Sequence, residues 1–88
     1  MAKSKSFKTK FELSVINKVR DIRIELKLSQ DDLAYYLDTS RGFIGQIEST
    51  KYSAKYNLNH LNILAKEFKC SPKDFLPDNP IDEKIAKK

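Results

Sequence analysis

Apolar residues return at helical spacing through most of the chain, and nowhere do they alternate as a half-buried strand requires. Val15, Val19, Ile22 and Leu26 form the first stripe and predict a helix from about Ser14 to Leu26. Ile16 and Ile24 fall off that stripe, open to a partner, to the N-terminal arm or to the C-terminal segment. Lys27 ends the helix without the glycine that usually terminates one. A second helix begins at Ser29, where Ser29 and Asp32 make an S-x-x-D capping pattern, and it turns Leu33, Ala34 and Leu37 inward. Asp38, Thr39 and Ser40 form a tight polar turn. Ser40 then caps a third helix, about Arg41 to Glu48, with Ile44 and Ile47 as its core contacts. A polar connection rich in Lys and Tyr runs from Ser49 to about Asn57. The fourth helix spans about Leu58 to Phe68, with Leu61, Leu64, Ala65 and Phe68 on one face. Ser71, Pro72 and Asp74 restart a helix, in which Phe75 and Leu76 are expected to close the core before Pro77 and Pro80 end it.

The pattern predicts an all-α, compact five-helix domain over residues 12–77. A flexible basic arm, residues 1–11, precedes it and a tail, residues 78–88, follows. There is no internal repeat. Eighty-eight residues allow one domain with a small core. No apolar run approaches the roughly 18 residues of a membrane span. The basic N-terminus is not followed by the apolar stretch of a signal peptide. The single cysteine, Cys70, can form no intramolecular disulfide and has no second cysteine with which to hold zinc. Together these place the chain in a reducing, cytoplasmic compartment.

Charge is unevenly spread. The net charge is +5, and residues 1–10 hold Lys3, Lys5, Lys8 and Lys10 with no acid. In residues 78–88 three lysines balance Asp78, Asp82 and Glu83, which leaves only +1 for the middle of the chain. The pI near 9.4 is therefore largely a property of the first ten residues. Such an arm can follow a phosphate backbone, or it can be a solvated tail that aids solubility.

Residues 28–48, LSQDDLAYYLDTSRGFIGQIE, are two short helices joined by a polar turn, with polar groups along one face of the second. That is the layout of a helix-turn-helix, whose second helix lies in the DNA major groove. Leu28-Ser29-Gln30, Leu33-Ala34, Ser40-Arg41, Phe43-Ile44 and Gln46-Ile47-Glu48 resemble the Cro/C1-type helix-turn-helix of the XRE family, the lambda-repressor-like domain. The resemblance runs from about Val15 to Leu76, including the Ser71-Pro72 ending. It implies that Gln30 bonds a DNA phosphate, that Arg41, Gly42, Phe43 and Gln46 face the groove beside the cap Ser40, and that Arg23 and Glu48 form a structural ion pair. It also implies that the loop after the third helix runs beside the phosphate backbone, where Lys51 neutralises charge; Tyr52, Lys55 and Tyr56 stay open. Three positions depart from the pattern: Asp38 stands where glycine is common, Ser49-Thr50 replaces a residue-glycine pair, and the connection to the fourth helix is longer.

The groove-facing residues differ in what they can read. Arg41 can fork to guanine O6 and N7, or contact a phosphate, which carries no sequence information. Gln46 can bond adenine N6 and N7, or stay a solvated side chain. Phe43 can touch a thymine methyl or pack as a core aromatic. Gly42 and Gly45, the chain's only glycines, each cost roughly 1 kcal/mol relative to Ala in a helix. They suit close backbone approach to DNA or close helix packing, or mark a weak helix that firms up on binding.

No enzyme constellation stands out. His60 is the only histidine and reads as a partly exposed helix residue, and no Gly-rich phosphate loop or paired-carboxylate motif is present. No cofactor or metal is expected. The resemblance implies a small transcriptional regulator that binds duplex DNA as a homodimer, through its fifth helix with the loop before the fourth, or through Ile81 to Ala86. Two alternatives stay open. One is an antitoxin or restriction-modification controller with the same DNA-binding domain, the antitoxin having a toxin or other protein as partner. The other is a protein-interaction module that does not read DNA.

Overall fold

A computed structural model describes residues 7–83. Four α-helices follow one another, α1 Lys10–Glu25, α2 Gln30–Leu37, α3 Arg41–Glu48 and α4 Leu58–Phe68, and a single 3-10 turn, Pro72–Phe75, closes the sequence of elements. No strand occurs among the described residues. Lys3 and Lys5 of the expected arm, and Ala86 of the tail, lie outside them.

Side chains set the helix starts. Thr9 with Glu12, Ser29 with Asp32, Asn57 with His60 and Ser71 with Asp74 are reciprocal capping boxes, and the Ser40 hydroxyl accepts from the Phe43 N–H at 3.0 Å. The first of these moves α1 four residues ahead of the expected start at Ser14. Lys10 and Phe11 are thus helical. A second cap comes from the far end of the chain. The Glu83 carboxylate accepts from the backbone N–H groups of Lys10 and Phe11, both at 2.8 Å, where a helix N-terminus has unpaired donors and favours negative charge.

The helix ends are less usual. Lys27, Asp38 and Lys69 all take positive φ, between 55° and 62°. Each follows a helix in the same way: its own N–H reaches back three residues, and the next N–H reaches back five at 2.9 Å. This is the Schellman arrangement, normally built on glycine. Two lysines and an aspartate carry it here, against a left-handed penalty of about 1–2 kcal/mol.

The core gathers Val15, Ile16 and Val19 of α1 with Leu33, Ala34 and Leu37, Ile44 and Ile47, Leu61, Leu64, Ala65 and Phe68, plus Tyr56 and Phe75. Two α1 expectations are corrected. Ile16 is fully packed, and Leu26 is 46% exposed with Ile22 only partly covered. The core covers the N-terminal half of α1, so the buried face includes position 16 and has run out by position 26. The fifth helix is also corrected, to one turn of 3-10. Between Pro72 and Pro77 there is room only for i→i+3 bonds, Asp74 N–H to Ser71 O and Leu76 N–H to Lys73 O. Phe75 still plugs the core, edge-on to Phe68 at 5.9 Å, whereas Leu76 is 44% exposed.

Candidate nucleic-acid interface

α2 packs against both α3 and α4, and α1 closes over α3. The turn between α2 and α3 is held at both ends. The Thr39 N–H bonds the Ala34 carbonyl at 2.9 Å, and Ser40 caps α3. Ala34 is buried, and its small side chain suits the close approach of the two helices.

One face of α3 is buried through Ile44 and Ile47. The opposite face presents Arg41, Gly42 and Gln46 to solvent, with Gly45 half-buried beside them. These positions fall at i, i+1, i+4 and i+5 and so share one stripe. Neither glycine is demanded by the fold. A Cβ on Gly42 would stand 3.9 Å from the Ser40 hydroxyl, and one on Gly45 would stand 3.6 Å from the Gln30 side-chain oxygen Oε1, both ordinary contacts. Close helix packing therefore does not explain Gly45. Phe43 is turned away from the stripe: it is half-buried against the core, with its ring edge-on to His60 at 6.2 Å.

α3 is anchored from behind by a charged cluster. The Arg23 guanidinium donates through Nε and Nη2 to the two carboxylate oxygens of Glu48, each at 3.0 Å, and through Nη1 to the Leu28 carbonyl at 2.9 Å. The two side chains are 12% and 6% exposed. Gln30 Nε2 also donates to Glu48 at 3.0 Å, and Arg20 stands 3.8 Å away at the edge. An amide nitrogen has two N–H groups, so the bond to Glu48 leaves Gln30 one donor. Beside this cluster Tyr56 is buried with an unpartnered hydroxyl. Burial, and then the Glu48 charge, push that phenol well above its ordinary range.

The charges around the stripe are mixed. Arg41 is exposed and stands 3.9 Å from the equally exposed Asp31, a pair worth little in water. Asp38 is exposed on the turn, and Lys51 is exposed on the loop after α3, its backbone N–H donating to the Ser49 hydroxyl at 3.1 Å. Lys55 is engaged elsewhere, 2.7 Å from Glu12. That contact and the Thr9 N–H hold the Glu12 carboxyl below its ordinary value.

The structure brings Gln30, Gly45, Arg23 and Glu48 into one cluster and Ser40, Arg41, Gly42 and Gln46 onto one exposed edge. Lys51 sits on the following loop. Lys8 is a further member of this region. Its Nζ donates to the carbonyls of Gln46 at 3.2 Å, of Tyr52 at 2.6 Å and of Ser49. Nothing local in the sequence marks it, because its partners are backbone groups some forty residues away. The Asn57–His60 capping box was not expected from the sequence, because histidine is a rare third-position partner. His60 accepts the Asn57 N–H through Nδ1 at 3.1 Å, and burial holds its imidazole below the ordinary value.

Among the described residues no three His, Cys, Asp or Glu side chains cluster as a metal site, and no helix is long and apolar enough to cross a membrane. Cys70 is half-buried, and burial raises its thiol. Compared with known proteins, the chain matches no family model, no curated protein and no solved structure.

Proposed function

We propose that this chain binds duplex DNA sequence-specifically as a small transcriptional regulator, in the manner of the Cro/C1-type helix-turn-helix it resembles. The observation that carries the reading is the α3 stripe. A short helix is pinned from behind by Glu48 and presents a cation, a carboxamide and two glycines that its own fold does not need. Arg41 and Gln46 are the residue types that read guanine and adenine edges in the major groove. The glycines leave the helix backbone open to close approach. Gln30 keeps one N–H for a phosphate, and Lys51 adds a cation. Phe43, whose ring meets His60 of α4, contributes less than Arg41 and Gln46. Arg41→Ala is expected to weaken specific binding by about 1–3 kcal/mol and to relax preference at one base position. Measured by titration against duplexes varied at each position, a loss equal for all sequences makes Arg41 a phosphate contact instead.

The regulator acts as a homodimer in this proposal. An apolar groove of about 290 Å³ lies between α1, the start of α4 and Leu76, floored by Val15, Ile16 and Leu61. Leu58 stands on its rim and is 84% exposed. A knob beside a hole on one face is self-complementary, as a twofold interface requires. The occupant proposed is a second copy, each Leu58 entering the other's groove. Sedimentation should then show a dimer for the natural chain and a folded monomer for Leu58→Asp; a Leu58→Asp dimer removes this surface from the proposal. A second reading, a protein-interaction module, draws support from Tyr35, which projects from α2 with 83% of its surface exposed.

A further inference from the structure

The loop after α3 has an unusual support. Helix C-termini leave carbonyls without partners and carry partial negative charge. At the end of α3 one lysine answers both. Lys8 is 6% exposed, and its ammonium has three N–H donors. Three carbonyls converge on it: Gln46 in the last turn of α3, Ser49 at its cap, and Tyr52 beyond the bend. Lys51 sits inside that bracket, between the second and third. Glu12 and Lys55, paired with each other, are charged groups near the ammonium.

We infer that Lys8 is the positioning residue of this loop: by binding the Gln46, Ser49 and Tyr52 carbonyls together it sets where Lys51 stands relative to the exposed stripe of α3. A planar guanidinium spreads its donors over three atoms and does not fit a single point of convergence. The charge of Lys8 is spent within the protein, so it does not add to the count of phosphate contacts. The consequence for DNA rests on the function proposed above; the consequence for the loop does not.

The test compares the natural chain with Lys8→Met, Lys8→Gln and Lys51→Met, using backbone NMR order parameters for residues 49–53 and duplex affinity against salt. In Lys8→Met the order parameters are expected to fall from about 0.85 towards 0.6. DNA affinity should drop about tenfold at every sequence, with the salt slope unchanged. Lys51→Met should do the reverse, leaving the loop ordered and lowering the slope by about 0.9. Lys8→Gln keeps two donors and gives an intermediate loosening, which also serves if the methionine variant is too unstable to study. An unchanged loop in both Lys8 variants overturns the inference, as does a slope that falls by about one in Lys8→Met. If the natural chain binds no duplex, the DNA reading falls and the order parameters alone decide the role of Lys8.

Discussion

Arg23→Ala is expected to lower the free energy of unfolding by about 3–5 kcal/mol. The guanidinium makes three hydrogen bonds, two to Glu48 and one to the Leu28 carbonyl, in a site almost closed to water. Truncation strips Glu48 of its main partner and leaves a buried carboxylate with Gln30 and a distant Arg20. It also frees the Leu28 carbonyl just ahead of α2. A domain of this size holds roughly 5–15 kcal/mol in total, so the variant is expected to lose a large share of its stability. Urea unfolding followed by far-UV circular dichroism measures the loss. The double variant Arg23→Met with Glu48→Leu should recover much of it, because apolar replacement of a buried ion pair is often neutral or stabilising. A cost below about 1 kcal/mol for the single variant contradicts this account of how α3 is anchored.

Phe75→Ala carries the second large effect, also about 3–5 kcal/mol. Phe75 is 1% exposed and meets Phe68 edge-on at 5.9 Å. The element that holds it is one turn long, capped by Ser71 and Asp74 and bounded by prolines, so it has little helical stability of its own. Its position depends on the ring being buried, and the ring is the main plug at that end of the core. The 3-10 turn packs on both α1 and α4, so its loss should loosen both contacts. Thermal unfolding should show the drop together with faster amide exchange in α1. Leu76→Ala, one residue on and partly exposed, should cost less. Equal costs at 75 and 76 would mean that the core is closed by the segment as a whole.

Much of this fold was legible because its signals are local. Ser29, Ser40 and Ser71 announce their caps, and the stripes of α2, α3 and α4 repeat cleanly, so the bounds of α3 and α4 matched their expectation. α1 was misread where two signals competed. The apolar stripe from Val15 pointed to a start at Ser14, whereas the Thr9-x-x-Glu12 box starts the helix at Lys10. Which face of α1 is buried depends on what covers it, and that is why Ile16 and Leu26 exchanged roles. At the ends of α1, α2 and α4, lysine and aspartate occupy positions where glycine is the usual mark. At the candidate site, the resemblance implied an outward edge of Arg41, Gly42, Phe43 and Gln46, and Arg41, Gly42 and Gln46 are exposed there. The engagement of Gln30 by Glu48, the turning of Phe43 toward His60 and the burial of Lys8 were not expected. Each is a contact between residues distant in sequence.

Lys8 also changes the electrostatic picture. One of the four lysines in the first ten residues serves the fold, and Lys55 in the loop is engaged by Glu12. On the proposed reading, Arg41 and Lys51 are exposed cations beside the α3 stripe, with Asp31 and Asp38 exposed near them. Affinity on this account is modest for one copy and depends on two copies reading two half-sites.

Selection of binding sites from random duplexes tests that account most directly. The expected result is an enriched site with two related half-sites about one helical turn apart, bound with an affinity that falls steeply as salt rises. A pool that yields no enriched sequence, with binding weak at every salt concentration, would contradict it.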